Sequence, residues 1–350
     1  MDSARAKLAD WIPAGEADNN SYARGLEVVL NYLDHEVDYD TIMGDSGQAF
    51  ILQGEENSTN LHDGAVDVGW WPLEPVGITI RLDFLEQVVG RELREVMPRD
   101  ADGGYGAYSE DPAAFYADAL EPAVRKSLAS GMPCLTQHGT WFIVTGADEG
   151  EPPITGAWAC GPEQKIVRLS DGYPYNLVMP GESVPRIDRK AADIEALRYA
   201  VALHQDKVLG PDAEAGVYGA PRAEGAKYGE HWRTGVRSYA AWVDALNDME
   251  NLGQARWHSN VVYQLGINRR SAVPYLRAMA ARHEVDVAGH LARAAEMYED
   301  VLQTLGRADT SEDAMSSAEG RSFLVALIEE IAEVERRAVT ELGNAANAIN

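Results

Sequence analysis

The stretch from residue 19 to residue 50, NNSYARGLEVVLNYLDHEVDYDTIMGDSGQAF, sets the expected order of the first elements. Apolar residues recur at helical spacing from Leu26 to Leu33, and polar residues before them can cap a helix. The run VDYDTIMG predicts a second, short helix, and the glycines at 44 and 47 predict a tight loop that leads into a strand. Ser21 therefore stands at the start of the first helix, where it either serves as a nucleophile or only caps the helix.

The elements that follow predict an α+β fold for the first half of the chain. The segments ITIRLDFLEQVVGRELREV and DPAAFYADALEPAVRKSLASGMP have a helical period, and a Gly-Met-Pro stop ends the second. Five short apolar runs bounded by Gly, Asp or Pro predict strands: CLTQ, TWFIVTG, ITGAWACG, KIVRLS and YNLVMP. Helices followed by antiparallel strands are typical of α+β proteins.

Helical periodicity runs through most of the chain after residue 186. Segments of helical length such as DVAGHLARAAEMYEDVLQTLG and EGRSFLVALIEEIAEVERRAVTELG are joined by short polar turns, which predicts a helical bundle. The expected organisation is an α+β domain over residues 1–186 and an all-α helical domain over residues 187–350.

Charge and hydropathy narrow the classes of partner and location. The chain has 30 basic and 56 acidic residues, a formal net charge of -26, which repels nucleic acid and anionic membranes. It contains no apolar run long enough to span a bilayer, and its first residues lack the pattern of a signal peptide. We therefore expect a cytoplasmic protein with neither a nucleic-acid partner nor a membrane partner.

Cysteine and histidine spacing predicts no metal site and no cofactor. The two cysteines, Cys134 and Cys160, form no CxxC pair and are expected to be buried thiols. No HExxH motif occurs among the eight histidines. His283 and His290 are seven residues apart, but residues 285–289 between them are predicted to form a turn.

The tetrapeptide GDSG at 44–47 matches the nucleophile loop of chymotrypsin-like peptidases, but here it follows two predicted helices. A tight turn in which both glycines adopt unusual backbone angles is the preferred interpretation.

The chain is rich in Trp and Tyr, with 8 Trp and 15 Tyr against 5 Phe. Such side chains often line pockets, although each alone is more often part of a core.

Two short motifs resemble a known family. SYARGLEVVLNYLD and TWFIVTGAD resemble patterns of the papain-like fold, as found in bacteriocin-processing cysteine peptidases and in the amino-terminal domain of the butirosin-biosynthesis acyltransferase. DTIMGDSGQAF is similar to the Gly-rich loop after the second helix of the acyltransferase group. The resemblance covers about residues 15–180 and implies that the first domain is papain-like.

The resemblance also implies where a catalytic site would lie. In that family a Cys begins the first helix and a His begins a later strand. Here Ser21 falls at the Cys position, and Trp141 or Phe142 falls at the His position. Asp148 matches the Asp that follows the glycine of the strand. The catalytic Cys-His pair is therefore not retained.

Three functional hypotheses follow. In the first, a degenerate papain-like protein binds a small molecule or peptide in the remnant cleft. The residues expected to contact that ligand are Ser46, Gln48, His62, Trp70, Trp71, Tyr105 and Trp141. In the second, an acyltransferase or amide hydrolase uses Ser21 as nucleophile, His138 or His62 as base, and Asn19 or Asn20 with helix amides to stabilise an oxyanion. In the third, the helical bundle self-associates into a homo-oligomer with a structural or interaction role.

Overall fold

The computed structural model describes residues 20–55, 66–67, 81–96, 110–138, 140–147, 153–160, 165–169, 172–174, 176–208, 232–247 and 255–349. The chain divides into two compact units. The first unit comprises Met1–Ile42 and Asp83–Arg186, and the second comprises Met43–Leu82 and Ile187–Asn350. The predicted domain boundary after residue 186 stays a prediction, because residues 43–82 group with the second unit.

The first helix, α1 (Ser21–Tyr32), confirms the predicted helical segment. Asn20 is its N-cap, and the Asn20 side-chain oxygen accepts the main-chain N–H groups of Tyr22 and Ala23, each at 3.1 Å. Ser21 is therefore the first helical residue and not the cap. The buried face of α1 carries Leu26, Val29 and Leu30, and burial of each such side chain contributes about 1.5 to 3 kcal/mol.

A six-stranded antiparallel sheet forms the centre of the first unit, with strand order β3-β8-β4-β5-β6-β7. The strands are β3 (Arg91–Val96), β4 (Cys134–His138), β5 (Thr140–Gly146), β6 (Thr155–Trp158), β7 (Val167–Arg168) and β8 (Leu177–Ser183). Helix α1 covers one face. A Cβ on Gly25 would lie 2.7 Å from Leu135 of β4, so the lack of a side chain there permits close packing.

The other face of this sheet packs against a helical segment. It consists of α4 (Pro112–Phe115), a π-helical turn (Tyr116–Leu120) and α5 (Glu121–Ala129). Cys134, Phe142 and Val144 point to this face and join its apolar core. Because side chains alternate along a strand, their neighbours Leu135 and Trp141 point to the α1 face.

Helix α3 (Leu82–Val89) is shorter than predicted. Gly90 follows it with a φ of +76°, a left-handed conformation that ends helices. Residues 91–96 then form β3, which pairs with β8. The prediction that the helix continues to Leu93 was therefore wrong.

The second unit is mainly helical. Helix α2 (Tyr39–Asp45) runs across the division, and a 3-10 turn (Gln48–Phe50) follows it. A small antiparallel sheet contains β2 (Val66–Asp67), β1 (Gln53–Glu55) and β9 (Trp232–Thr234), in that order. The described helices after residue 186 are α6 (Arg189–His204), α7 (Val236–Asn247), α8 (Ala255–Ala280), α9 (Val285–Leu305), the short α10 (Glu312–Ser316) and α11 (Ala318–Ala348).

The C-terminal helices confirm the predicted helical region, with one correction. Helix α9 begins at Val285, so the turn predicted over residues 285–289 was wrong. His283 contacts Asp193, whereas His290 contacts Glu341, so the two histidines do not share a site.

The mixed α+β class is confirmed, and the papain-like assignment stays a prediction. Both cysteines are free thiols. Cys134 is buried, as predicted, and burial raises its pKa to about 12. Cys160 is only partly buried, so the prediction of a buried thiol was wrong for it. Within the described ranges, no helix combines the length and apolar character that crossing a membrane requires.

Candidate functional site

The predicted site residues fall into three groups. Asn20, Ser21 and Trp141 lie in the first unit, whereas Ser46 and Gln48 lie in the second. His138 ends β4, but its side chain is outside the described part of the chain. The remaining predicted residues are all outside the described residues: Asn19, His62, Trp70, Trp71, Tyr105 and Asp148.

Ser21 lies directly beside strand β5. The Ser21 hydroxyl oxygen accepts the main-chain N–H of Trp141 at 3.4 Å, and both residues are buried. The Trp141 ring packs edge-on against Tyr22, with 4.3 Å between the ring centroids. Burial, together with the charge of Glu95, raises the pKa of Tyr22 well above its usual value. An aromatic side chain thus stands where the family resemblance expects a histidine.

These contacts do not activate Ser21. Its position at the positive end of α1 favours a negative charge, but a serine hydroxyl also needs an adjacent base to become a nucleophile. Among the described side chains, no His, Asp or Glu hydrogen-bonds Ser21. Asn20 is also engaged, because its side-chain oxygen caps the helix.

Polar side chains lie next to Trp141 on the same face of the sheet. In the pairing of β4 with β5, Gln137 is opposite Trp141. In the pairing of β4 with β8, Thr136 is opposite Leu177, which puts the preceding residue, Asn176, next to Gln137. The Asn176 amide nitrogen donates to the Gln137 side-chain oxygen at 3.0 Å. We refer to Ser21, Trp141, Gln137 and Asn176 as the polar row.

Two atoms of the polar row have no hydrogen-bond partner among the described residues. They are the indole N–H of Trp141, a donor, and the side-chain oxygen of Asn176, an acceptor. Both residues are 0% exposed. Leaving such a buried group unpaired costs about 1 to 3 kcal/mol, so each is poised to gain from a partner that supplies the missing hydrogen bond.

The GDSG segment in the second unit forms a tight turn. The Ser46 hydroxyl donates to the main-chain oxygen of Met43 at 3.2 Å and accepts the N–H of Gln48 at 3.3 Å. Gly47 has a φ of +80°, which confirms the unusual backbone angle predicted for it. That prediction was wrong for Gly44, which lies within α2 and instead leaves room for the Tyr275 ring.

A buried ionic network surrounds this turn, and the sequence analysis missed it. Asp45 accepts two N–H groups of Arg189, at 2.7 and 2.8 Å, and the hydroxyl of Tyr275, at 2.6 Å. Asp193 contacts Arg189 at 2.8 Å, Arg282 at 2.9 Å and His283 at 2.7 Å. We refer to these six residues as the ionic network: Asp45, Arg189, Asp193, Tyr275, Arg282 and His283.

The ionic network is electrostatically complete. Burial alone would raise the pKa of Asp193, but the Arg282 and Arg189 guanidiniums outweigh burial and lower it. Each oxygen of both carboxylates has a hydrogen-bond donor. The network therefore stabilises the turn and the helices around it, and neither of its carboxylates is left with an unpaired oxygen.

A second buried ion pair stabilises the chain just after the turn. Arg269 pairs with Glu335 through two contacts, one of them at 3.0 Å. Arg269 also donates to the main-chain oxygens of Ala49, at 2.9 Å, and Ile51, at 3.2 Å. Glu335 lies in α11 and is buried.

Within the described ranges, no group of three or more His, Cys, Asp or Glu residues is arranged to hold a metal ion.

No protein-family model matches this sequence, and no curated protein matches it.

Proposed function

We propose that the first unit binds a ligand carrying a peptide or carboxamide group at the polar row, and that Ser21 does not act as a nucleophile. One observation carries this proposal: a buried donor, the Trp141 indole N–H, and a buried acceptor, the Asn176 side-chain oxygen, lie on the same sheet face and have no hydrogen-bond partner among the described residues. The ligand is a small molecule or a peptide that binds without being cleaved.

The chemistry of the two unpaired atoms selects the ligand class. A carboxamide has a carbonyl oxygen that accepts one hydrogen bond and N–H groups that donate others. It can therefore pair with Trp141 and Asn176 together, whereas an ether, an alkane or a metal ion can satisfy at most one of them. The aromatic surface of Tyr22 and Trp141 adds apolar contact.

The papain-like relationship supports the same ligand class as a proposal. Ser21 at the start of α1 and Trp141 on β5 are adjacent, as the positions of the catalytic pair in that family would be. A cleft that once bound a peptide bond for cleavage can keep its recognition groups after losing the catalytic pair.

The two alternatives receive less support. Acyl transfer by Ser21 requires a base that accepts the hydroxyl proton, and no His, Asp or Glu among the described side chains hydrogen-bonds Ser21. Self-association through the helical bundle stays a prediction, since the observations above concern the interior of each unit.

The proposal is tested with N-acetylglycine N-methylamide, a minimal compound with two peptide groups. In ¹H–¹⁵N spectra, we expect saturable shifts of the Trp141 indole signal, which Trp141→Phe identifies. Trp242 is the matched control, because it is equally buried but its indole N–H already donates to His258 at 3.1 Å. Its signal should not move.

The same titration in variants separates binding from catalysis. Trp141→Phe should weaken binding about tenfold, the equivalent of one hydrogen bond worth about 1.4 kcal/mol. Ser21→Ala and Trp242→Phe should bind as wild type does. An unchanged Trp141 signal at saturating concentrations of the compound, or equal affinity in Trp141→Phe, would refute the proposal.

A further inference from the structure

A cluster of three basic side chains lies at the far end of α1 from Ser21. His35 follows the last turn of the helix, Arg91 begins β3, and Arg186 follows β8. The Arg91 Nε donates to His35 Nε2 at 2.8 Å, and an Arg186 terminal nitrogen lies 3.2 Å from His35 Nδ1. The 12-residue helix separates this cluster from the polar row by about 18 Å.

Main-chain contacts fix both guanidiniums. Arg91 donates to the Gly181 oxygen at 2.6 Å, and the Arg186 Nε donates to the Val89 oxygen at 2.8 Å. The Arg186 side chain also packs over Gly90, where a Cβ would lie 2.5 Å from its Cγ. Because the side chains are already held, a ligand that binds them loses little of its affinity to ordering them.

Among the described residues, no carboxylate pairs with the positive charge of Arg91 or Arg186. Neither forms an ion pair within the described part of the chain, although the protein has 56 acidic and 30 basic residues. Asp34 acts on His35 electrostatically without pairing with either arginine. The nearby C-terminal ends of α1 and α3 supply about half a negative charge each, which offsets only about half of the two arginine charges.

His35 cannot satisfy both arginines. A neutral imidazole has one acceptor nitrogen, yet both ring nitrogens face a guanidinium N–H. Burial and the charges of Arg91 and Arg186 lower the pKa of His35, so the ring is neutral at pH 7. The imidazole nitrogen that is not an acceptor carries an N–H, and the Val89 main-chain oxygen accepts it. The arginine N–H that faces this nitrogen finds no lone pair on it, and an anion beside the ring can accept from that arginine.

Enough donors remain to hold such an anion. Each guanidinium has five N–H groups, of which each of these two uses two, so three remain on each. The two arginines, one in β3 and one after β8, meet at the His35 ring, which follows α1. A planar carboxylate matches the fork of a single arginine, whereas a tetrahedral phosphate can accept from several directions at once.

We propose that His35, Arg91 and Arg186 form a binding site for a phosphate group, either free phosphate or the phosphate of a monoester. This site is separate from the polar row and does not depend on the function proposed for it.

The test is calorimetric titration of the protein with inorganic phosphate and with phenyl phosphate, at constant ionic strength set by chloride. We expect saturable binding in wild type and at least a tenfold loss of affinity in Arg91→Gln and in Arg186→Gln. Arg125→Gln is the matched control, since Arg125 is an exposed arginine of the same unit that pairs with Glu121. Tighter binding of phenyl phosphate would assign the site to a monoester, and equal or weaker binding would assign it to the free ion.

A second measurement needs no arginine variant to fold. In wild type, phosphate should raise the pKa of His35, followed by NMR of its imidazole, because a bound anion favours the charged ring. His35→Gln identifies the signal. Absence of phosphate binding, equal affinity in Arg91→Gln, Arg186→Gln and Arg125→Gln, or a His35 pKa that phosphate does not move would overturn the proposal.

Discussion

The polar row in the first unit and the ionic network in the second are both buried polar groups, but they differ in how completely they are paired. In the ionic network, each oxygen of Asp45 and Asp193 has a donor. In the polar row, the Trp141 indole N–H and the Asn176 side-chain oxygen have no partner among the described residues. A completed network stabilises a fold, whereas an incomplete one can gain from a ligand.

The charge in the two regions differs as well. The ionic network contains full charges, whose removal one at a time leaves an uncompensated charge in the interior. The polar row contains only neutral groups, for which an unmet hydrogen bond is tolerable. Stability should therefore depend strongly on the ionic network, and ligand binding should depend on the polar row.

The largest expected effect is on the ionic network. Asp193→Ala removes the common partner of Arg189, Arg282 and His283, so the free energy of unfolding should fall by about 3 to 5 kcal/mol. Urea unfolding followed by circular dichroism measures it. Asp300→Asn, at an exposed helical position, should change stability by less than about 0.5 kcal/mol. A comparable small effect for Asp193→Ala would remove the contrast between the two regions.

The pH dependence of stability sharpens the same point. The folded-state pKa of Asp193 is lowered from its usual 3.8, so its stabilisation is present above that pH and is lost as the pH falls through the folded value. The difference in unfolding free energy between wild type and Asp193→Asn should be constant between pH 5 and 7 and shrink below about pH 4. Urea unfolding at each pH would contradict this account if the difference grew on acidification.

Two buried tryptophans, one in each unit, test the same contrast between paired and unpaired groups. Trp141 and Trp242 are both fully buried, and the Trp242 indole N–H is hydrogen-bonded, whereas that of Trp141 has no partner among the described residues. In the ligand-free protein, Trp242→Phe should cost about 1 kcal/mol more than Trp141→Phe, because it removes the hydrogen bond that Trp242 donates to His258 Nδ1. Paired urea unfolding curves give the difference. Equal losses would mean that the Trp141 indole N–H is already paired.

The smallest effects are expected at the start of α1. Asn20→Ala should lower the free energy of unfolding by about 1 kcal/mol, because it removes an acceptor shared by two main-chain N–H groups. Ser21→Ala should cost less than about 0.5 kcal/mol, since its hydrogen bond to Trp141 is long, at 3.4 Å. Thermal unfolding that ranked the two variants in the opposite order would give Ser21 a larger structural role.

Much of the fold could be predicted from local patterns. Helical spacing identified α1, and Gly, Asp and Pro punctuation identified the strands of the large sheet. The strand β3 was missed because it is an edge strand with charges on both sides of Leu93, so its sequence, RELREV, continues the helical period before it. Only the left-handed Gly90 marks the change, and a glycine alone does not reveal its φ.

The candidate site was less predictable, because long-range contacts define it. Ser21 and Trp141 were found from the family resemblance, but Gln137 and Asn176 join them only through the pairing of three strands. Glu335 resembles its exposed neighbours in sequence, and its burial depends on Arg269, 66 residues earlier. Asp45 was visible within GDSG, yet its partners Arg189 and Tyr275 lie far along the chain.

The central claim, that the polar row binds and does not catalyse, is tested most directly by intact-mass spectrometry after incubation with a fluorophosphonate probe. Wild type and Ser21→Ala are treated side by side at several probe concentrations. The account predicts no adduct on Ser21, and therefore the same pattern of probe adducts on both proteins. A single adduct in wild type that is missing in Ser21→Ala would contradict it and would show that Ser21 is an activated nucleophile.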